Sequence, residues 1–252
     1  MTNRISRLVA TVLLLAPALA RADFHLRYPN EIDQGEFEIE HNGSTTFDRH
    51  DEKADQRSYT AEIGAGVTSW WHPELELGIE RDGGPDEPTR LTEAVFENTF
   101  LLTEPGEGWV DLGFYAEYAH TILHGVADSL EFGPLLQKDV GRTTHTLNLL
   151  LTKQIGSAQD DRGYDFSYAW QSRWNIWRPL SPAIEIYGDT GDLDRMNPFK
   201  QQQLIAGPVA VGVYYLGNGL GKFKYEAGYL FGVTNASPAG TLRWKAEIEV
   251  PF

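Results

Sequence analysis

Apolar and polar side chains alternate along this chain with a period of two. In the terminal segment TLRWKAEIEVPF, Leu242, Trp244, Ala246, Ile248, Val250 and Phe252 share one face of an extended strand, and Thr241, Arg243, Lys245, Glu247 and Glu249 share the other. A helix would not sort them so. The pattern recurs upstream, with Phe37 and Ile39 against Glu36, Glu38 and Glu40, and Leu75, Leu77 and Ile79 against Glu74, Glu76 and Glu80. It returns with Val110, Leu112, Phe114, Ala116 and Tyr118 opposing Asp111, Gly113 and Glu117, and with Phe223, Tyr225, Ala227, Tyr229 and Phe231 opposing Lys224, Glu226, Gly228 and Gly232. Less regular strands are predicted near 57–69, 90–102, 129–138, 144–155, 164–177, 182–188 and 202–215. Pro134 and Pro208 interrupt two of them, each marking a bulge or a locally broken pair, because proline cannot donate to a ladder.

These segments number about twelve, an even count that suits a closed antiparallel transmembrane barrel with both ends on one side. Short turns are predicted at 70–73, 104–108, 139–143, 179–182 and 217–221, alternating with longer polar loops around 43–56, 81–89, 119–128, 156–163, 189–201 and 234–240. Barrels in membranes alternate in this way, with short periplasmic turns and longer outer loops. Trp70, Trp71, Trp109, Trp174 and Trp177 all fall beside predicted short turns, where amphipathic rings prefer a membrane boundary. Ordinary core tryptophans are the competing explanation.

The N-terminus changes the picture next. Arg4 and Arg7 precede an apolar stretch from Leu8 to Ala20, and Ala20-Arg21-Ala22 provides a small-x-small cleavage site, so residues 1–22 read as a signal peptide and 23–252 as one barrel domain. No segment has the roughly 20 uninterrupted apolar residues of a spanning helix, so any crossing is made by strands. Residues 1–22 carry three arginines and no acid, which takes the formal charge of the remainder from −15 to −18. Such a surface repels phosphate backbones and excludes nucleic acid as a partner. The chain has no cysteine, so an exported fold must close by hydrogen bonds rather than disulfides.

The terminal strand with Trp244, Ala246, Ile248, Val250 and Phe252 resembles the C-terminal recognition signal of Gram-negative outer-membrane barrels, which ends in phenylalanine. That resemblance implies a location in the cell outer membrane, in contact with its lipid and lipopolysaccharide, and an encounter with the barrel assembly machinery. Pro251 departs from the usual pattern and bears on how far the last strand pairs. The segments 133–141, 168–175 and 221–234 also resemble a group of small exported proteobacterial barrels of the transporter type, which implies no particular substrate.

If the apolar face meets lipid, the other lines the interior with Glu36, Glu38, Glu40, Glu74, Glu76, Glu80, Glu93, Glu97, Asp111, Glu117, Glu185, Glu226, Glu247 and Glu249, against Arg173, Lys224, Arg243 and Lys245. A dry interior cannot hold that much unpaired charge, so either water fills it or the acids share protons. Closure brings the last strand beside the first, where Arg243 and Lys245 are expected to face Glu36, Glu38 and Glu40. The function this predicts is a porin-like channel for small polar or cationic solutes, because acidic rings attract cations. A narrow barrel without a pore is the structural alternative.

An enzyme acting on lipid needs a nucleophile, a base and an orienting group together. Its candidates are His41 with Ser44, and His120, His124, Asp128 and Ser129; neither set forms a specific motif, and no enzymatic role is expected. No cofactor or metal set is called for: the i, i+4 spacing of His120 and His124 lacks further ligands, and the acidic stretches 81–88 and 188–194 do not match a calcium loop. Those stretches suit cations that bridge lipopolysaccharide phosphates. A soluble β-sandwich shares the same alternation, and detergent dependence separates it from a barrel.

Overall fold

The computed structural model describes residues 24–30, 33–159 and 163–252. The predicted signal peptide, residues 1–22, lies outside the described residues. Twelve strands follow one another: β1 (Glu36–Phe47), β2 (Arg57–Ala65), β3 (Trp71–Arg81), β4 (Arg90–Leu101), β5 (Asp111–Thr121), β6 (Asp128–Val140), β7 (Thr143–Ile155), β8 (Asp165–Trp174), β9 (Ser181–Asp192), β10 (Gln203–Leu216), β11 (Gly221–Gly232) and β12 (Gly240–Pro251). Every strand pairs antiparallel with its sequence neighbour, and β1 pairs with β12, which closes the sheet into a barrel. Closure leaves no open edge.

The distribution of side chains is the inverse of a water-soluble protein. Ile39 and Leu75 are each 55% exposed on the outside, whereas Glu185 and Glu247 are 0% exposed and Glu38 1%. A continuous belt that includes Ile63, Leu77, Phe96, Phe114, Ile184, Leu242 and Ile248 faces outward. In water such a patch would drive association; in hydrocarbon it is the required surface, and the fold is a transmembrane β-barrel. No helix among the described residues is long and apolar enough to cross a membrane.

The seam settles the question raised by Pro251. Pro251 stands opposite Glu36, and the Phe252 N–H donates to Gly35 O at 2.9 Å, so the last strand pairs to its end. At Gly133-Pro134 and Gly207-Pro208 the ladders to β7 and β11 skip the two residues and resume in the same register, so both are locally broken pairs. The register shifts lie instead between Gly78 and Ile79 and between Asp165 and Ser167.

The connections depart from the simple alternation. One end of the barrel carries 66–70, 102–110, 141–142, 175–180 and 217–220, and the other carries 48–56, 82–89, 122–127, 156–164, 193–202 and 233–239. The connection 102–110 is as long as most of those opposite, and β9 runs on to Asp192, into what the residue types predict as loop. We call these the turn end and the loop end. Trp70, Trp109, Trp174 and Trp177 are exposed at the turn end. Trp71 is half-buried, its indole N–H donating to Asn98 Oδ1 at 3.0 Å.

Candidate functional site in the barrel interior

Strand pairing decides which inward carboxylates meet. Across β12, β1, β2 and β3, Glu247 stands opposite Glu40, Glu40 opposite Glu62, and Glu62 opposite Glu76. Across β3, β4, β5 and β6, Glu74 stands opposite Glu97, Glu97 opposite Glu117, and Glu117 opposite Glu131. Two rows of directly opposed carboxylates therefore cover half of the inner wall. Like charges in direct cross-strand contact repel, so the belt calls for cations or shared protons.

At the seam the cations come from β11 and β12. Lys245 stands opposite Asn42 and reaches diagonally to Glu40, 2.6 Å away, and to Glu247 at 3.4 Å. Lys222 reaches Glu36 at 3.0 Å and also contacts Glu249; Lys224 pairs with Glu247 at 2.8 Å and with Glu249. The expectation that Arg243 faces Glu36, Glu38 and Glu40 is corrected. Its register partner on β1 is Ser44, and its guanidinium turns the other way to Glu185 Oε2 at 2.8 Å and Glu226 Oε2 at 2.9 Å.

The lumen also holds residues 24–30, which the residue pattern does not mark. Arg27 and Asn148 of β7 clasp each other: the Arg27 N–H donates to Asn148 Oδ1, and Asn148 Nδ2 donates to Arg27 O, both at 2.8 Å. The Arg27 guanidinium lies 3.5 Å from Glu97, 3.4 Å from Glu117 and 3.8 Å from Glu131, over the Tyr115 ring at 4.1 Å. Tyr28 donates to Glu226 at 2.5 Å and accepts from Gln171 at 2.9 Å. His25 lies 3.3 Å from Glu40, and Phe24 meets Tyr187 edge-on with centroids 5.9 Å apart. Asn30 accepts from Gln137 at 3.0 Å. A segment this short that touches β1, β4, β5, β6, β7, β8, β9 and β11 can only lie inside the ring.

Tyr28, Gln171, Glu185, Arg243 and Glu226 form a closed hydrogen-bonded circuit, completed by Gln171 Nε2 to Glu185 at 2.8 Å. Tyr187 adds a donor to Glu185 at 2.9 Å. The segment thus takes part in the charge compensation of the wall it fills. Beside it, a recess of about 620 Å³, counting the part open to solvent, reaches toward the loop end between Phe24, Arg27, Glu131, Asp165, Asp189 and Gln203.

Among the remaining sequence-predicted residues, Glu80, Glu93 and Asp111 also stand at inward strand positions, Asp111 accepting from the Gly106 N–H at 2.7 Å. Arg173 bonds Asn175 near the turn end, at 3.0 Å. Trp244, Ile248, Val250 and Phe252 lie on the outer face of β12 or just beyond it. Glu62 and Glu131 were missed because the alternation in their strands is less regular. Carrying the period of two through Ala61-Glu62-Ile63 and Leu130-Glu131-Phe132 would have found both.

The considered catalytic sets do not assemble. His41 stacks outside on Tyr59 and bonds the Thr60 carbonyl at 2.7 Å, while Ser44 is buried on the inner face. His120 meets Asp128 at 3.1 Å, with Tyr118 donating to the same carboxylate at 2.7 Å, but Ser129 stands opposite Ala119 on the other face. Of the acidic stretches, Arg81 pairs with Asp55 at 2.7 Å and Asp82 with Arg90 at 2.8 Å.

No family model and no curated protein matches the chain. Among solved structures it is similar to a bacterial polysaccharide outer membrane secretin, with 10% identity over 88% of this chain and 100% of that one, at a TM-score of 0.45. It is also similar to OprD of Pseudomonas aeruginosa, with 7% identity over 90% of this chain and 98% of that one, at a TM-score of 0.29. At that distance nothing about function passes from those proteins to this chain.

Proposed function

We propose that the chain is an outer-membrane channel that passes small polar or cationic solutes along its acidic inner wall, with residues 24–30 narrowing the path. The observation that carries this reading is the belt of directly opposed carboxylates from Glu247 round to Glu131, which Lys224 and Lys245 meet at the seam and Arg27 meets at Glu97, Glu117 and Glu131. Such a wall lowers the energy of a cation in the lumen and raises that of an anion. Asp165 and Asp189 extend the same sign of charge into the recess at the loop end. The apolar outer belt and the indoles at the turn end support residence in lipid, with the loops against lipopolysaccharide. Trp244, Ile248, Val250 and Phe252 fit an outward-facing assembly signal.

The filling of the lumen by residues 24–30 favours a second reading, a barrel without a pore. Planar-bilayer recordings of the purified protein and of a variant lacking residues 24–30, under a potassium chloride gradient, separate the two. A channel gives conductance with a cation-selective reversal potential, larger in the shortened variant. Absence of conductance in both forms, each folded, removes the channel and leaves the second reading.

A further inference from the structure

Four groups of three acidic or histidine side chains converge inside the barrel among the described residues, each with ligand atoms within 4.8 Å of one another: His25-Glu40-Glu62, Glu38-His72-Glu74, Glu38-Glu40-Glu247 and Glu62-Glu76-Glu97. They differ in what already neutralises them. Glu40 is held by Lys245 and by the Asn42 amide, both at 2.6 Å, and Glu247 by Lys224 at 2.8 Å. His72 Nδ1 lies 3.6 Å from Glu74. The all-carboxylate group lies where the two rows of opposed carboxylates meet, and Arg27 reaches it at Glu97.

Its free oxygens point to a ligand. Glu62 Oε1 accepts from Asn42 at 2.8 Å and from Thr60, which leaves Oε2 buried and without a hydrogen-bond partner. Glu97 Oε2 accepts from Tyr115 and faces Arg27, which leaves Oε1 in the same condition. Both residues are 2% exposed. Glu76 stands directly opposite Glu62 and completes the group. Carboxylates gathered this closely, two of them with vacant, desolvated oxygens, are unfavourable unless a cation or a shared proton lies among them.

We propose that Glu62, Glu76 and Glu97 hold a hard divalent cation of calcium size. Oxygen-only donors select such an ion, and calcium–oxygen distances of roughly 2.3–2.6 Å, in a flexible coordination shell, let ligand atoms that lie within 4.8 Å of one another share one ion. The ion joins β2, β3 and β4 where strand pairing sets like charges together, and it shares Glu97 with Arg27, so its occupancy also steadies the segment in the lumen. The proposal is independent of conductance.

The test is calcium binding to the full-length folded protein in detergent, stripped with chelator and read by terbium luminescence excited through Tyr115, with calcium as competitor and total bound calcium measured by elemental analysis. One ion per barrel is expected. Glu62→Gln and Glu97→Gln each weaken binding at least about tenfold, the scale on which even outer-shell changes act on metal sites. Glu52→Gln, in the connection 48–56, leaves it unchanged. Binding that is undiminished in Glu62→Gln and Glu97→Gln overturns the proposal. If those variants do not fold, the elemental analysis of the wild type decides: a calcium-equilibrated barrel that retains no ion after desalting overturns it.

Discussion

Replacement of Arg243 by methionine probes how dry the interior is. Arg243 is 2% exposed, and its guanidinium is the shared partner of Glu185 and Glu226, themselves 0% and 5% exposed. Removing it leaves two carboxylates without their cation. Where a buried ion pair loses one partner, the loss is about 3–5 kcal/mol, because the remaining charge stays desolvated. If water reached these groups, they would be resolvated and the loss would fall to about 1 kcal/mol or less, as for an exposed pair. The assay is urea unfolding in detergent micelles or lipid vesicles, followed by tryptophan fluorescence and by the heat-modifiable shift on gels. R243M is expected to lose about 3–5 kcal/mol, and R243M with Glu185→Gln and Glu226→Gln to recover most of it, because the amides need no counter-ion. A loss below about 1 kcal/mol in R243M would refute the reasoning and show a hydrated lumen at that level.

Three further outcomes are expected. Asn148→Leu removes both hydrogen bonds that clasp the Arg27 backbone and leaves buried polar groups unpaired, at roughly 1–3 kcal/mol each. It should expose residues 24–30 to protease and raise single-channel conductance; an unchanged cleavage pattern would count against the clasp. Gly133→Ala places a methyl group against the Leu149 carbonyl at the broken pair, and should cost roughly 1–3 kcal/mol in the same urea titration; a neutral result would show that β6 and β7 separate easily there. Asp48 accepts from the His50 N–H at 2.9 Å, the His50 ring at 2.8 Å and the Ala239 N–H at 2.8 Å, which holds its carboxyl well below the usual aspartate range. Its pKa is lower folded than unfolded, so the stabilisation is complete above the unfolded value of about 3.9 and is lost as pH falls toward the folded one. Hydrogen exchange in 48–56 should therefore stay protected at pH 4 in the wild type but not in Asp48→Asn; equal protection in both would rule out this link between loops.

The strand number and the outward or inward sense of most side chains are legible in the residues themselves. A period of two is a local property: once Ile248 faces lipid, Glu247 and Glu249 face inward, whatever the neighbouring strand is. The same locality marks the seam, because the clearest alternating segment is the last. Local rules could not say which carboxylates meet. Glu62 stands against Glu76, and Arg243 leaves the seam for Glu185 and Glu226, only because twelve registers are set together when the barrel closes. Nor does any period mark Phe24 to Asn30: the segment has no strand of its own and takes its place from partners on eight strands, some of them about 200 residues away in the chain, such as Glu226. Alternation is enforced by the solvent on either side of a single strand, so sequence determines it; compensation of buried charge is enforced by whatever else reaches the lumen, so only the tertiary structure decides it.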